Sequence, residues 1–156
     1  MLVIGVLIGA CAGDNRDVSD SDVVIPFRVD GTLDFLRNGE KYLSIDIEIA
    51  DSDSSRVRGM MQRTGFPPST GMLFVFPVEE IQSFWMANTP VALDIIFADA
   101  DSSIVSVSKY TKPLSPENVV SRNPARFVLE VPAGFTDSQG IVESDRMRWR
   151  RSEAAD

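Results

Sequence analysis

Apolar residues along this chain recur in short runs broken by polar, Gly or Pro positions, a rhythm that suits strands rather than long helices. The sharpest case flanks Asn38-Gly39. Across 40–50, Leu43, Ile45, Ile47 and Ile49 alternate with Ser44, Asp46, Glu48 and Ala50, which predicts a half-buried strand with one dry and one wet face. Residues 32–37 predict its partner. Asn-Gly readily takes positive φ at both centres of a type I′ turn, so the two arms should form a hairpin. Before it, 23–28 predicts a first strand at a sheet edge, because Pro26 has no N–H to donate. After it, Asp51 to Ser55 offers N-caps, and Val57, Met60 and Met61 fall at i, i+3 and i+4. That pattern predicts a short helix over 54–62. Gly59 inside it would cost roughly 1 kcal/mol of helix stability and points to a close approach by another element.

Two further runs, 72–76 and 91–97, enclose Ser83-Phe84-Trp85-Met86-Ala87-Asn88-Thr89. Both faces of the second run are largely apolar, which predicts a central strand with Asp94 as its one charge. Residues 104–109 return as a partner strand, and 111–124, with three prolines, reads as an extended loop. Residues 126–131 predict a strand with Glu130 on the face opposite Phe127 and Leu129, and 141–150 predict the strand that closes the sheet. No βαβ alternation and no glycine-rich phosphate loop is present. The expected fold is mainly β, an antiparallel sandwich or distorted barrel with one short helix, as a single domain over 23–150.

Charge and composition narrow the function classes. The 156 residues carry a net charge of −8, which argues against nucleic acid as a partner. Arg146, Arg148, Arg150 and Arg151 read as the wet face of the last strand. With no His and a single Cys, Ser-His-Asp and Cys-His catalysis, His-ligated zinc and an internal disulfide are excluded. Residues 1–10 have the length of a signal-peptide apolar region. Ile8-Gly9-Ala10-Cys11 resembles a bacterial lipobox, although no Lys or Arg precedes the apolar run. The resemblance implies lipid on Cys11, an acidic tether over 11–22 and a membrane-anchored address in the bacterial cell envelope. Residues 151–156 are expected to be a disordered tail.

Six segments carry a wider resemblance. They are Glu48 to Asp51, Arg56 to Arg63, Gly71 to Phe76, Ser83 to Thr89, Leu93 to Phe97 and Phe127 to Gly134. In this order they resemble the domain of unknown function 192 family of bacteria and archaea, over about 42–149. The resemblance implies a compact β-rich fold, often exported or lipid-anchored, and no established general activity. Two positions depart from the family pattern. Ala87 stands where a Lys is common, and Ser144-Asp145 stands where a Gly-Asp turn is usual. The first removes a cation from the aromatic segment.

Candidate chemistry gathers around Asp94. A buried carboxylate needs partners, and Arg56, Arg58 and Arg63 are the cations at hand. They would either pin the helix onto the sheet or, with Asn88, converge on a ligand. Trp85 could offer an aromatic platform, with Phe84 turned to the core. Ser83 and Thr89 have only carboxylates as bases. Three function classes follow: a lipid-anchored module that binds a glycan, peptide or other small molecule, a structural protein of the envelope, or a hydrolase using Asp94 and Glu130. No metal cluster and no cofactor site is expected.

Overall fold

Nine strands and two short helices follow one another through residues 25–153, the part of the chain that the computed structural model describes. The Asn38-Gly39 turn sits as expected, with φ of 51° and 83°, and joins β1 (Gly31–Arg37) to β2 (Glu40–Ala50) as an antiparallel pair. Ser52 opens α1 (Asp53–Arg58) with a capping box, its side chain accepting from the Ser55 N–H. The helix is shorter than expected because Gly59 ends it rather than sitting inside it. Gly59 has φ of 46°, and a Cβ there would lie 3.2 Å from the Phe74 ring. The close approach expected of this glycine is present, and it fixes the end of the helix over β3 (Thr70–Glu80).

The remaining elements are β4 (Ser83–Trp85), β5 (Leu93–Ala98), β6 (Ile104–Ser108), β7 (Asn118–Val120), β8 (Ala125–Pro132), α2 (Phe135–Ser138) and β9 (Arg146–Arg151). Seven strands form one sheet in the order β6-β5-β8-β3-β2-β1-β9, while β4 and β7 pair separately. A bridge between Ser103 and Arg146 brings the ends of the large sheet together, so it curls without closing into a barrel.

Several expectations are corrected. The sheet is mixed, because β2 and β3 run parallel. The connection through α1 is long enough to carry the chain back for a parallel start. The strand β7 lies in the segment read as an extended loop, and a second helix, α2, and the strand β4 form where no element was expected. Residues 25–28 form no strand. Beside Pro26 the backbone finds side-chain and isolated partners instead, with the Arg28 N–H donating to Glu48 Oε1 at 2.5 Å. Arg151 belongs to β9, not to a tail. The expected signal segment, Cys11 and the tether lie outside the described residues.

Alternation along the strands builds two cores. Leu33, Phe35, Ile45, Ile47, Leu73, Ile96 and Leu129 fill the concave side. On the other side Met72, Phe74, Ile95, Phe97 and Val128 pack with Met60 and Met86 from the connections. Toward β1 and β9 this second face turns wet: Asp34 is buried beneath Arg148, Arg150 and Lys41. Burial works against its charge, yet Ser44 and these cations hold its carboxyl below the usual range.

Candidate functional site

Asp94 is fully buried, as a central strand implies, but no arginine among the described residues reaches it. Its Oδ1 accepts from the Tyr110 N–H at 2.9 Å. Its Oδ2 accepts from the N–H groups of Gly134 and Thr136 and from Thr136 Oγ1, at 3.1, 3.0 and 2.6 Å. Backbone donors and one hydroxyl satisfy a carboxylate as well as a guanidinium does. The expected arginine pair is therefore replaced by a nest that ties the 110 and 134–136 turns to β5. Asp94 is a fold-holding residue on the concave side.

The three arginines go elsewhere. Arg63 forms a buried bidentate pair with Glu48, at 3.1 and 2.7 Å. That pair breaks the expected wet face of β2, since Glu48 is 1% exposed. Arg56 donates to the carbonyls of Asp51 and Val75, at 2.6 and 2.9 Å, and pairs with Asp53. It thereby staples α1 to β3. Arg58 is exposed and forms no ion pair among the described residues.

Between α1 and the β4–β7 ribbon lies a cavity of about 550 Å³. Arg56 and Arg58 line one side, and Phe74, Phe76, Phe84 and Trp85 line the others. Phe84 turns inward, its ring edge-on to Phe74 at 4.9 Å, while Trp85 is 53% exposed. Their opposite orientations follow from strand alternation in β4. Asn88 does not line this cavity; it lines an adjoining depression with Val57, Arg58 and Gln62. The expected set is thus divided: Trp85, Arg56 and Arg58 share one cavity, and Asn88, Arg63 and Asp94 do not join them.

Glu130 is the residue the cavity adds. It lies on β8 at the centre of the sheet, in register with Met72 on one side and Ile95 on the other. Alternation sends its side chain to the face of Phe74 and Val128, into the cavity. It is 5% exposed, and its Oε2 has no hydrogen-bond partner. Burial alone pushes its carboxyl up to about 8. The sequence signal for Glu130 was its place on the face opposite Phe127 and Leu129. That no neighbour would satisfy it carried no signal.

This placement removes the hydrolase reading. Asp94 pairs in register with Val131 and Glu130 with Ile95, so the two carboxyls project from opposite faces of the sheet. Both are buried, and no substrate bond could lie between them. Among the described residues no group of three or more His, Cys, Asp or Glu is placed to hold a metal. An isolated carboxyl in an aromatic-walled cavity can bind and can exchange a proton.

Comparison with known proteins places the chain among uncharacterised relatives. A family model for DUF192, described as "Uncharacterized ACR", matches residues 35–149. The UPF0127 protein of Pyrococcus furiosus is 27% identical over 116 residues, 71% of this chain and 92% of that protein. A crystal structure from Sinorhizobium meliloti, provisionally described as a transcription regulator, has a TM-score of 0.73 at 28% identity. It covers 80% of this chain and 96% of its own. A Novosphingobium aromaticivorans protein of unknown function gives a TM-score of 0.71 at 25% identity, over 76% of this chain and 84% of its own.

Proposed function

This chain belongs to the DUF192 family, and since that description assigns no activity, we propose from the site itself that it is a binding module for a small ligand held between α1 and the β4–β7 ribbon. One observation carries the reading: a carboxyl 95% removed from solvent, without a partner, faces a cavity large enough for a small molecule. A fold gains nothing by burying an unsatisfied polar group, which costs about 1–3 kcal/mol. A ligand that engages Glu130 would recover that cost. The aromatic walls supply apolar contact, and the charged rim on α1 supplies orientation. Glycans, peptides and other small envelope molecules all remain within this class. The description of the Sinorhizobium neighbour as a regulator finds no support in this chain's overall charge of −8.

A thermal-shift screen against glycans, short peptides and small metabolites tests the reading. A ligand should raise Tm in the wild type, lose most of that effect in Trp85→Ala and Glu130→Ala, and keep it in Lys109→Ala, a surface control outside the cavity lining. A ligand whose shift survives both cavity variants would place binding elsewhere and end the proposal.

With binding we propose an envelope address, held by lipid on Cys11. Its support is the residue pattern at 8–11 alone. Labelled palmitate should enter the wild-type chain and not Cys11→Ser. Equal labelling of the two, or none, would end that part of the reading.

A further inference from the structure

Charged side chains reach the cavity from two elements. From α1 it receives Asp53, Arg56 and Arg58, and from β8 Glu130; the lining residues from β3, β4 and the connections have no ionisable side chain. Arg56 is already committed to Asp53 and two carbonyls, and Arg58 stands at the exposed rim. Glu48 lies two strands away on the same face, across Met72, and its charge is met by Arg63. No guanidinium among the described residues acts on Glu130, whose shift is caused by burial. The floor of the cavity therefore holds a buried carboxyl that pairs with no cation among the described residues.

The walls suit a cation as well. Aromatic rings attract positive charge through their faces, more strongly where water is excluded. One wall already does so: the Arg56 guanidinium carbon sits 5.6 Å from the Phe76 ring centroid.

We propose that the cavity takes a small organic ammonium ion, its charged group against the Glu130 carboxylate and its apolar body against Phe76, Phe84 and Trp85. This rests on the binding reading above and names its ligand class. Binding transfers one proton from Glu130 to solvent, and no bond to the ligand is made or broken. With the carboxyl at about 8 in the free protein, ionising it at pH 7 weakens binding about tenfold relative to pH above 8. A neutral ligand would find the protonated acid instead and gain only an ordinary hydrogen bond.

The test uses the full chain in detergent micelles and isothermal titration with 2-phenylethylammonium and its neutral counterpart 2-phenylethanol. The amine stays charged throughout, since it ionises near about 10 like a lysine. At pH 8.5 the ammonium should bind at least tenfold tighter than the alcohol. Its affinity should fall about tenfold at pH 7, where titrations in two buffers should report close to one proton released. In Glu130→Gln both the preference and the proton release should vanish, and Trp85→Ala should weaken the ammonium more than the alcohol. Equal or tighter binding of the alcohol would overturn the ammonium assignment and leave the cavity as a neutral-ligand site. An unchanged preference in Glu130→Gln would overturn it as well. Failure of both probes would overturn the ammonium assignment, and the binding reading would be decided by the thermal-shift screen.

Discussion

At the scale of single residues, two buried carboxyls show opposite solutions to one problem. Asp94 is satisfied by four donors; Glu130 has none and is held neutral by burial. Their mutants should differ accordingly. Asp94→Ala strands the N–H groups of Tyr110, Gly134 and Thr136 and should cost about 3 kcal/mol or more in urea unfolding. For Glu130 the effect depends on pH. Its folded carboxyl titrates near about 8 against 4.5 for the free group, so between these values the folded chain holds a proton that the unfolded chain has lost. Stability should fall as pH rises through that window, by up to about 1.4 kcal/mol per unit from this one site. The loss is complete once pH passes 8 and absent below 4.5. Glu130→Gln should flatten that part of the profile and be the more stable protein at pH 8. A wild-type curve parallel to that of the variant would contradict the neutral carboxyl. Both acids were visible as charges on apolar strands, but the identity of their partners was not. Three of the four Asp94 donors are backbone groups, alike in every residue type, and an absent partner leaves no trace in a sequence.

At the scale of elements, what alternation and turn chemistry govern was legible, and what distant pairing governs was not. Asn38-Gly39 and the period-two pattern of 40–50 predicted β1 and β2 almost to the residue, because both signals are local. The parallel run of β2 beside β3 depends on where the chain lands after the α1 crossover, which local patterning leaves open. Glu48 shows the consequence: its position on the polar side of β2 predicts water, yet the crossover lays Arg63 over it. Breaking that pair should be severe. Arg63→Met leaves a buried anion and should cost about 3–5 kcal/mol, whereas adding Glu48→Leu should recover most of it, as denaturant midpoints of the single and double variants would show. Gly59 ties the same crossover to the cavity. With φ of 46° and ψ of −134°, and Phe74 at 3.2 Å from any Cβ, Gly59→Ala should cost about 1–3 kcal/mol and shift α1 against β3. If stability is unchanged, the helix end is free to move and does not shape the cavity.

At the scale of the whole molecule, the binding wall and the frame are built to different stabilities. The frame is the β5-β8-β3 centre, packed on both faces and closed by the Asp94 nest. The wall is α1, with no buried residue, and a ribbon of two three-residue strands. Val57 on that helix is 72% exposed, so apolar burial gives α1 little hold on the sheet beyond Arg56, Gly59 and the Ser52 cap. Few apolar contacts mean a low free energy of local opening, and opening is what admits a ligand to a carboxyl that is almost wholly covered. Native-state hydrogen exchange should resolve the two. Amides of Leu73, Ile96 and Leu129 should exchange only through global unfolding, with a full denaturant slope. Those of Arg56, Val57 and Phe84 should exchange several kcal/mol earlier with almost no slope, the mark of a small local opening. Saturating ammonium ligand should slow the second group by the factor its affinity sets and raise the first only by the overall stabilisation. Equal protection of wall and centre in the free protein would mean the cavity does not open by moving α1. Glu130 would then have to be reached through the exposed mouth beside Trp85.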